Sequence, residues 1–296
     1  MPWRLLAILL VWSPLPATGQ DFANVQIVTT RLADGVHMLV GRGGNLAVSS
    51  GSDGVFLVDD QFAPLTAKIR AALAAISSQP LRFVLNTHWH GDHTGGNENL
   101  GKAGVLIVAH DNVRQRMSVE QFQAAFNRTV PAAPAAALPV VTFGDDVSFH
   151  LNGHDVHVFH VANAHTDGDA IVHFRGPNVL HMGDTFFNGL YPFIDLGSGG
   201  SVDGVIAAVE RALSLADAKT RIIPGHGPQS DRAGLQAYRD LLVTVRGRVA
   251  DALASGQTLE QVLAAAPSRE FDAEWGRGFV DPERFVRTLY ESLSAN

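Results

Sequence analysis

Six consecutive positions, 88–93, hold three histidines and an aspartate within the run NTHWHGDHTGG, Asn86 to Gly96. The run follows LRFVL, an apolar stretch that reads as a strand, residues 81–90 in all. A chain that ends a core strand this way is constrained, because so many nitrogen and oxygen donors at one corner need open water or a shared cation. In extended backbone, residues two apart project to the same side, so His88 and His90 can converge on one ion. Gly91 then allows a tight turn, after which Asp92 and His93 could face a second ion. Gly95 and Gly96 let the backbone approach that site closely. Imidazole and carboxylate donors suit zinc, with iron and manganese also open on ligand type.

Four more residues extend the pattern: Asp59 in FLVDD, His165 in NAHTDGD, Asp184 in HMGDTFF and His226 in PGHG. Each follows a strand-like run, where an α/β scaffold presents functional loops. Five histidines and two aspartates are the complement for two adjacent metals. The chain has 13 histidines, so most need a plainer reading. His37, His110, His150, His154, His157, His173 and His181 read as hydrogen-bonded surface or core residues. His160, five residues before His165, reads as a neighbour behind the ligands. No cysteine is present, which removes thiolate ligands and thiol nucleophiles together.

The rest of the chain reads as strands, helices, strands, helices. Residues 27–58 form a meander broken at Gly-Gly and Ser-Asp-Gly. Residues 64–76 have helical spacing with a proline at the start. Residues 105–110 read as a strand, 111–126 as a helix, and 129–143, rich in proline and alanine, as a surface loop. Strand-like runs cover 147–150, 154–160, 170–174 and 179–181. A helix over 202–216 leads to the strand TRIIPGHG, and helices fill the remainder. The order predicts an α/β sandwich with helices outside.

Residues 1–19 differ from the rest: Arg4 is the only charge, LLAILLVW is apolar, and small residues follow at Ala17 and Gly19. That is the layout of a secretory signal peptide, cleaved near Gly19, and the apolar run is too short for stable membrane insertion. The expected division is a leader at 1–19, a main domain at 20–230 and a helical extension at 231–296 packed on it. The product is an exported protein, periplasmic or secreted. Net charge is −7 and basic residues are scattered singly, which disfavours a nucleic-acid partner. A small-molecule substrate is expected, and the oligomeric state is left open.

With these motifs in order, the chain resembles the metallo-β-lactamase superfamily, whose signature is H-x-H-x-D-H followed by separate His, Asp and His motifs. The resemblance covers roughly residues 25–228. It implies an αββα fold, two mixed sheets face to face with helices outside. It also implies that His88, His90 and His165 hold a first zinc, that Asp92, His93 and His226 hold a second, and that Asp184 bridges them. Asp59 would orient ligands from behind. A hydroxide shared by two zincs, steered by Asp92, would attack an amide, ester, lactone or thioester carbonyl. A rival within the superfamily is the persulfide dioxygenase, an oxidoreductase that binds one iron and leaves residues at the positions of His93 and His226 uncoordinated.

The sequence departs from several branches of that family. One type of true β-lactamase has cysteine at the position of Asp184 and a substrate-binding lysine three residues later, where Phe187 stands here. Another shares the Asp92–His93 pair but lacks the bridging aspartate. Asp184 resembles the glyoxalase II, lactonase and alkylsulfatase side, yet an exported chain does not suit a glutathione thioesterase. One kind of lactonase has tyrosine where Phe187 lies. β-Lactams therefore remain one candidate among several. The loop FFNGLYPFIDLGSGG offers Phe186, Phe187, Tyr191 and Phe193 as pocket residues, with Asn188 and Tyr191 as candidate oxyanion donors. Residues 130–139 are a candidate rim.

Overall fold

The computed structural model describes residues 22–294, so the leader-like segment 1–19 lies outside the described residues. The first sheet begins with β1 (Val28–Ala33), β2 (Val36–Val40), β3 (Leu46–Gly51) and β4 (Gly54–Val58), an antiparallel meander. Helix α1 (Thr66–Ile76) returns the chain to β5 (Leu81–Asn86), parallel to β4. Two short helices, α2 (Gly91–Thr94) and α3 (Asn97–Lys102), precede β6 (Leu106–His110) and α4 (Asp111–Met117). β7 (Gln121–Gln123) and β8 (Arg128–Val130) pair only with each other, and β9 (Val141–Phe143) closes the sheet in the order β1-β2-β3-β4-β5-β6-β9.

The second sheet runs in sequence order through β10 (Asp146–Leu151), β11 (His154–His160), β12 (Ala170–Phe174) and β13 (Val179–His181). Helix α5 (Val202–Leu215) then crosses back to β14 (Arg221–Ile223), parallel to β13, and β15 (Ser230–Asp231) ends the sheet. The chain finishes with α6 (Arg232–Ala254), α7 (Leu259–Ala265), α8 (Asp272–Trp275) and α9 (Pro282–Ser294). No helix among the described residues is long and apolar enough to cross a membrane.

Alternation along the strands sorts side chains into layers. Phe56, Val58 and Leu85 of the first sheet meet Val156, Val158 and Phe174 of the second. On the outer face of the first sheet, Val55 and Leu57 pack with Ile69 and Leu73 of α1. Every residue of β4 is therefore buried, as expected of a strand covered on both faces. The outer face of the second sheet presents Ile171, Leu180 and Ile222 to α5, α6 and α9. The architecture is the expected αββα sandwich, with residues 232–294 forming part of its outer helical layer.

Three expectations need correction. The helix over 111–126 stops at Met117, and residues 121–130 form a hairpin instead. Phe122 and Phe126 have helical spacing, but they stay exposed and have no core to face. Asn127 takes the left-handed conformation (φ 45°) that closes the hairpin. The strand at 81–90 ends at Asn86, so His88 and His90 sit on the β5–α2 connection, where His90 keeps an extended backbone and the two still converge. The loop over 129–143 is mostly irregular, but its ends pair as β8 and β9.

Phe56 is fully buried between the sheets, its ring 4.8 Å from Phe149. Phe56→Ala should lower unfolding free energy by about 3–5 kcal/mol, the cost of an aromatic-sized cavity. Urea unfolding would check this, and a loss below about 1 kcal/mol would show that the inter-sheet core collapses to fill it.

Candidate metal centre

β4 and β5 run parallel, as do β13 and β14, and their C-terminal ends meet at one edge of the sandwich. Asp59 follows β4, His88 and His90 follow β5, Asp184 follows β13 and His226 follows β14. His165 lies between β11 and β12. The donors gather in two adjoining groups, His88–His90–His165–Asp184 and Asp92–His93–His226, each with ligand atoms within 4.8 Å of one another. Asp184 stands between them. Its Oδ1 is 3.0 Å from His93 Nε2, while Oδ2 lies 3.6 Å from His165 Nε2 and 3.5 Å from His226 Nε2.

Four imidazoles are gripped from behind. His93 donates from Nδ1 to Asp59 Oδ2 at 2.7 Å, and His165 donates from Nδ1 to the Phe193 carbonyl at 2.7 Å. His90 donates from Nε2 to Asp195 Oδ2 at 3.0 Å. The Thr87 hydroxyl gives its proton to Asp59 Oδ2, so its lone pair receives His88 Nδ1–H at 3.1 Å. With the outer nitrogens holding protons, the inner nitrogens of His88, His90 and His165 offer lone pairs to the centre. Burial pulls His93 down, but Asp184, Asp59 and Asp92 outweigh it and hold it well above its usual range.

That arrangement fits metal ions. His90 Nδ1 and His165 Nε2 are 2.9 Å apart, a contact that two lone pairs can share only through a cation or a proton. His88 Nε2, His93 Nε2 and Asp184 Oδ1 are buried without a hydrogen-bond partner. Burial holds His88 below its usual range and His165 down to about 4, so both are neutral donors. Burial pulls His226 down too, but Asp184 and Asp92 outweigh it and raise it to about 9. Burial pushes Asp184 up, yet His93 and His226 outweigh that and keep it ionised.

The profile of the metallo-beta-lactamase superfamily matches residues 43–226, a span that contains every one of these donors. The chain belongs to this superfamily. A hydroxyacylglutathione hydrolase from Nitrosococcus oceani is 28% identical over 178 residues, 60% of each chain, so this chain spans less than two thirds of that relative. Among solved structures, a metallo-beta-lactamase from Pontibacter korlensis superposes with TM-score 0.60 at 21% identity, covering 73% of this chain and 99% of its own. A double mutant of a sec-alkyl sulfatase gives TM-score 0.68 at 17% identity, over 90% of this chain and half of its own. At such identities the solved structures speak to the fold alone.

In this superfamily member the centre opens on one side. Asp92 and His226 keep 28% and 26% of their side chains exposed, against 5% for Asp184 and none for His88, His93 or His165. They look into a cavity of about 480 Å³ that is also lined by Phe187, Tyr191 and Phe193. Phe187 lies flat against the His226 ring at 5.3 Å and 11°. Phe186 does not reach the cavity and packs instead on Tyr238 in the core. The Tyr191 hydroxyl turns away from the metal donors to Asp272 Oδ1 at 2.7 Å, and the Asn188 amide donates to the Pro228 carbonyl. Neither is aimed as an oxyanion donor, because the packing of the C-terminal extension and the β14 loop claims both.

Residues 130–139 do not border this cavity either. Val130, Pro131, Pro134 and Ala137 line a smaller hollow beside α2, and the rim over the centre comes from the β7–β8 hairpin. His160 stacks on His110 at 3.8 Å and donates from Nδ1 to the Asp169 carbonyl, away from the ligands. His181, read as a core residue, is fully buried and satisfied by the Asn45 carbonyl and the Gly183 amide.

Asp195 escaped the sequence reading. Its only signal was an acid inside an aromatic, glycine-rich loop. Burial pushes its carboxyl up, but the His90 bond and charge outweigh that and hold it at about 2. Ser198 donates to the same oxygen at 2.7 Å. Gly44 and Gly225 were also missed. A Cβ on Gly44 would collide with the His93 ring, and one on Gly225 with Asp184 Oδ1. Asp195→Ala should weaken metal binding about 10- to 100-fold, the usual effect of losing a carboxylate behind a ligating histidine. Chelator competition measures it. Parental affinity would restrict Asp195 to holding Ser198.

Proposed function

We propose that the protein is an exported hydrolase with two zinc ions per chain, acting on a carbonyl bond of a small molecule. Esters, thioesters and lactones head the substrate classes, with β-lactams a further one. The supporting observation is the second donor group: Asp92, His93 and His226 converge beside the first group, with Asp184 between the two. A single iron, as in the dioxygenase alternative, would leave this second group without a role. Mixed imidazole and carboxylate donors favour zinc. The relatives named hydroxyacylglutathione hydrolase make a thioester a natural first probe. Export rests on the leader-like residues 1–19 alone.

Bound there, two divalent cations would supply Lewis acidity and bring a water's pKa toward neutrality. The protein's own part is positional. His88, His90, His93 and His165 would be oriented toward the metals by Thr87, Asp195, Asp59 and the Phe193 carbonyl. Asp92, ionised and facing the cavity, would orient the attacking water and accept its proton. Phe187 and the aromatic wall would exclude bulk water from the reacting side.

Metal analysis of the mature protein should find two zincs per chain, and Asp184→Ala should lose metal and at least about 100-fold in turnover together. The assay set is a thioester, a lactone and a chromogenic cephalosporin, each with the zinc-loaded enzyme. Two retained zincs with full turnover in Asp184→Ala would remove the bridging role. One iron per chain with oxygen uptake would replace the hydrolase with an oxidoreductase.

A further inference from the structure

Beyond the donors, the cavity wall is built from three separated parts of the chain. Phe126 comes from the β7–β8 hairpin, Phe193 from the loop after Asp184, and Phe279 from the segment before α9. Phe126 stacks on Phe279 at 5.2 Å and 14°, and Phe193 meets them edge-on at 5.5 Å and 6.0 Å. Two of these rings remain open to solvent, Phe126 at 44% and Phe279 at 58%. The cluster stands next to the centre, since the Phe193 ring lies 5.6 Å from His165 and 5.9 Å from His90.

Two guanidiniums accompany the rings. Arg284 of α9 caps the cluster from 4.2 Å above Phe279. Arg128 lines the cavity itself, with its Nη2 on Gln123 Oε1 at 2.6 Å and its charge 5.7 Å from the Phe126 ring. Among the described residues neither Arg128 nor Arg284 forms an ion pair with a carboxylate, and of the two Arg128 lines the cavity. Exposed rings stacked in the wall of a reaction cavity form an open face for a flat apolar group. An arginine without an acid partner at the same wall suits a planar anion, which its donor fork can bind in two places.

We propose that the substrate carries an aromatic ring and a carboxylate remote from the scissile bond, the ring lying against Phe126, Phe193 and Phe279 and the carboxylate on Arg128. The inference rests on the hydrolase reading for its reaction, and on the cavity wall for its specificity. Arg284, held over the rings, is the clamp that joins hairpin to C-terminal extension.

The test uses the zinc-loaded full protein and thioesters of 2-mercaptoethanol, with thiol release as the readout. Acetyl, phenylacetyl and 4-carboxyphenylacetyl groups share one leaving group and differ stepwise in ring and charge. Parental kcat/KM should favour the carboxylated ring over the plain ring by about 10- to 100-fold, the worth of a charge-assisted pair. Arg128→Ala should bring that ratio close to one, and Arg128→Lys should restore part of it. Phe279→Ala should instead shrink the phenylacetyl-to-acetyl ratio. A parental charge ratio near one, or a ratio unchanged in Arg128→Ala, overturns the proposal. If no thioester is cleaved, only the thioester arm of the hydrolase reading fails, and calorimetric binding of 4-carboxyphenylacetamide decides the wall. Weaker binding by Arg128→Ala keeps the wall assignment, and equal binding ends it.

Discussion

The Asp59 carboxylate ties the sandwich to its chemistry. It accepts the Thr87 amide on Oδ1, and the Thr87 hydroxyl and His93 Nδ1 on Oδ2, all at 2.7–2.8 Å. A buried carboxylate is tolerable only when such donors replace water. These donors come from the chain just beyond β5, so the end of β4 and the start of the ligand loop are held as one piece. Asp59 itself adopts φ 60°, a conformation rare for a residue with a side chain. The strain turns its carboxylate inward and is sustained by the three bonds it makes possible.

From that knot the electrostatics of the centre follow. The partners behind the imidazoles set their tautomers, which leaves inner lone pairs crowded around Asp184. Without a cation, His90 and His165 face each other across 2.9 Å and three buried polar atoms go unpartnered. A divalent ion bound there would give these groups their partners, which would link metal binding to native stability. The backbone assists by staying small: Gly44 and Gly225 leave the room that a Cβ would take from His93 and Asp184.

The same frame explains the uneven exposure of the centre. The first donor group is sealed by the core, and the second opens on the cavity through Asp92 and His226. The helical extension at the C-terminus is part of this geometry. Tyr191 donates its amide to the Trp275 carbonyl and its hydroxyl to Asp272, so the loop after Asp184 is moored to α8. Phe279 and Arg284 then complete the cavity wall opposite the hairpin. A segment that reads as helical packing in the sequence thus helps to shape the reaction space.

The sequence alone located the candidate donors and an α/β order of elements; the two-sheet sandwich and the place of Asp59 behind the donors came from the resemblance to the superfamily. The first two are local facts: strand periodicity, the spacing within 88–93, and short polar motifs after apolar runs. Only the tertiary structure decided that Asp195 holds His90, since residues 105 positions apart leave no trace in each other's neighbourhood. It also turned Tyr191 and Asn188 away from the metal donors and moved Phe186 into the core. The run 111–126 reads as one helix, but a helix is stabilised only when one of its faces is covered, and that of Phe122 and Phe126 is not. Phe193 and Phe279 come from elsewhere in the chain and draw Phe126 into the cavity wall as part of a hairpin.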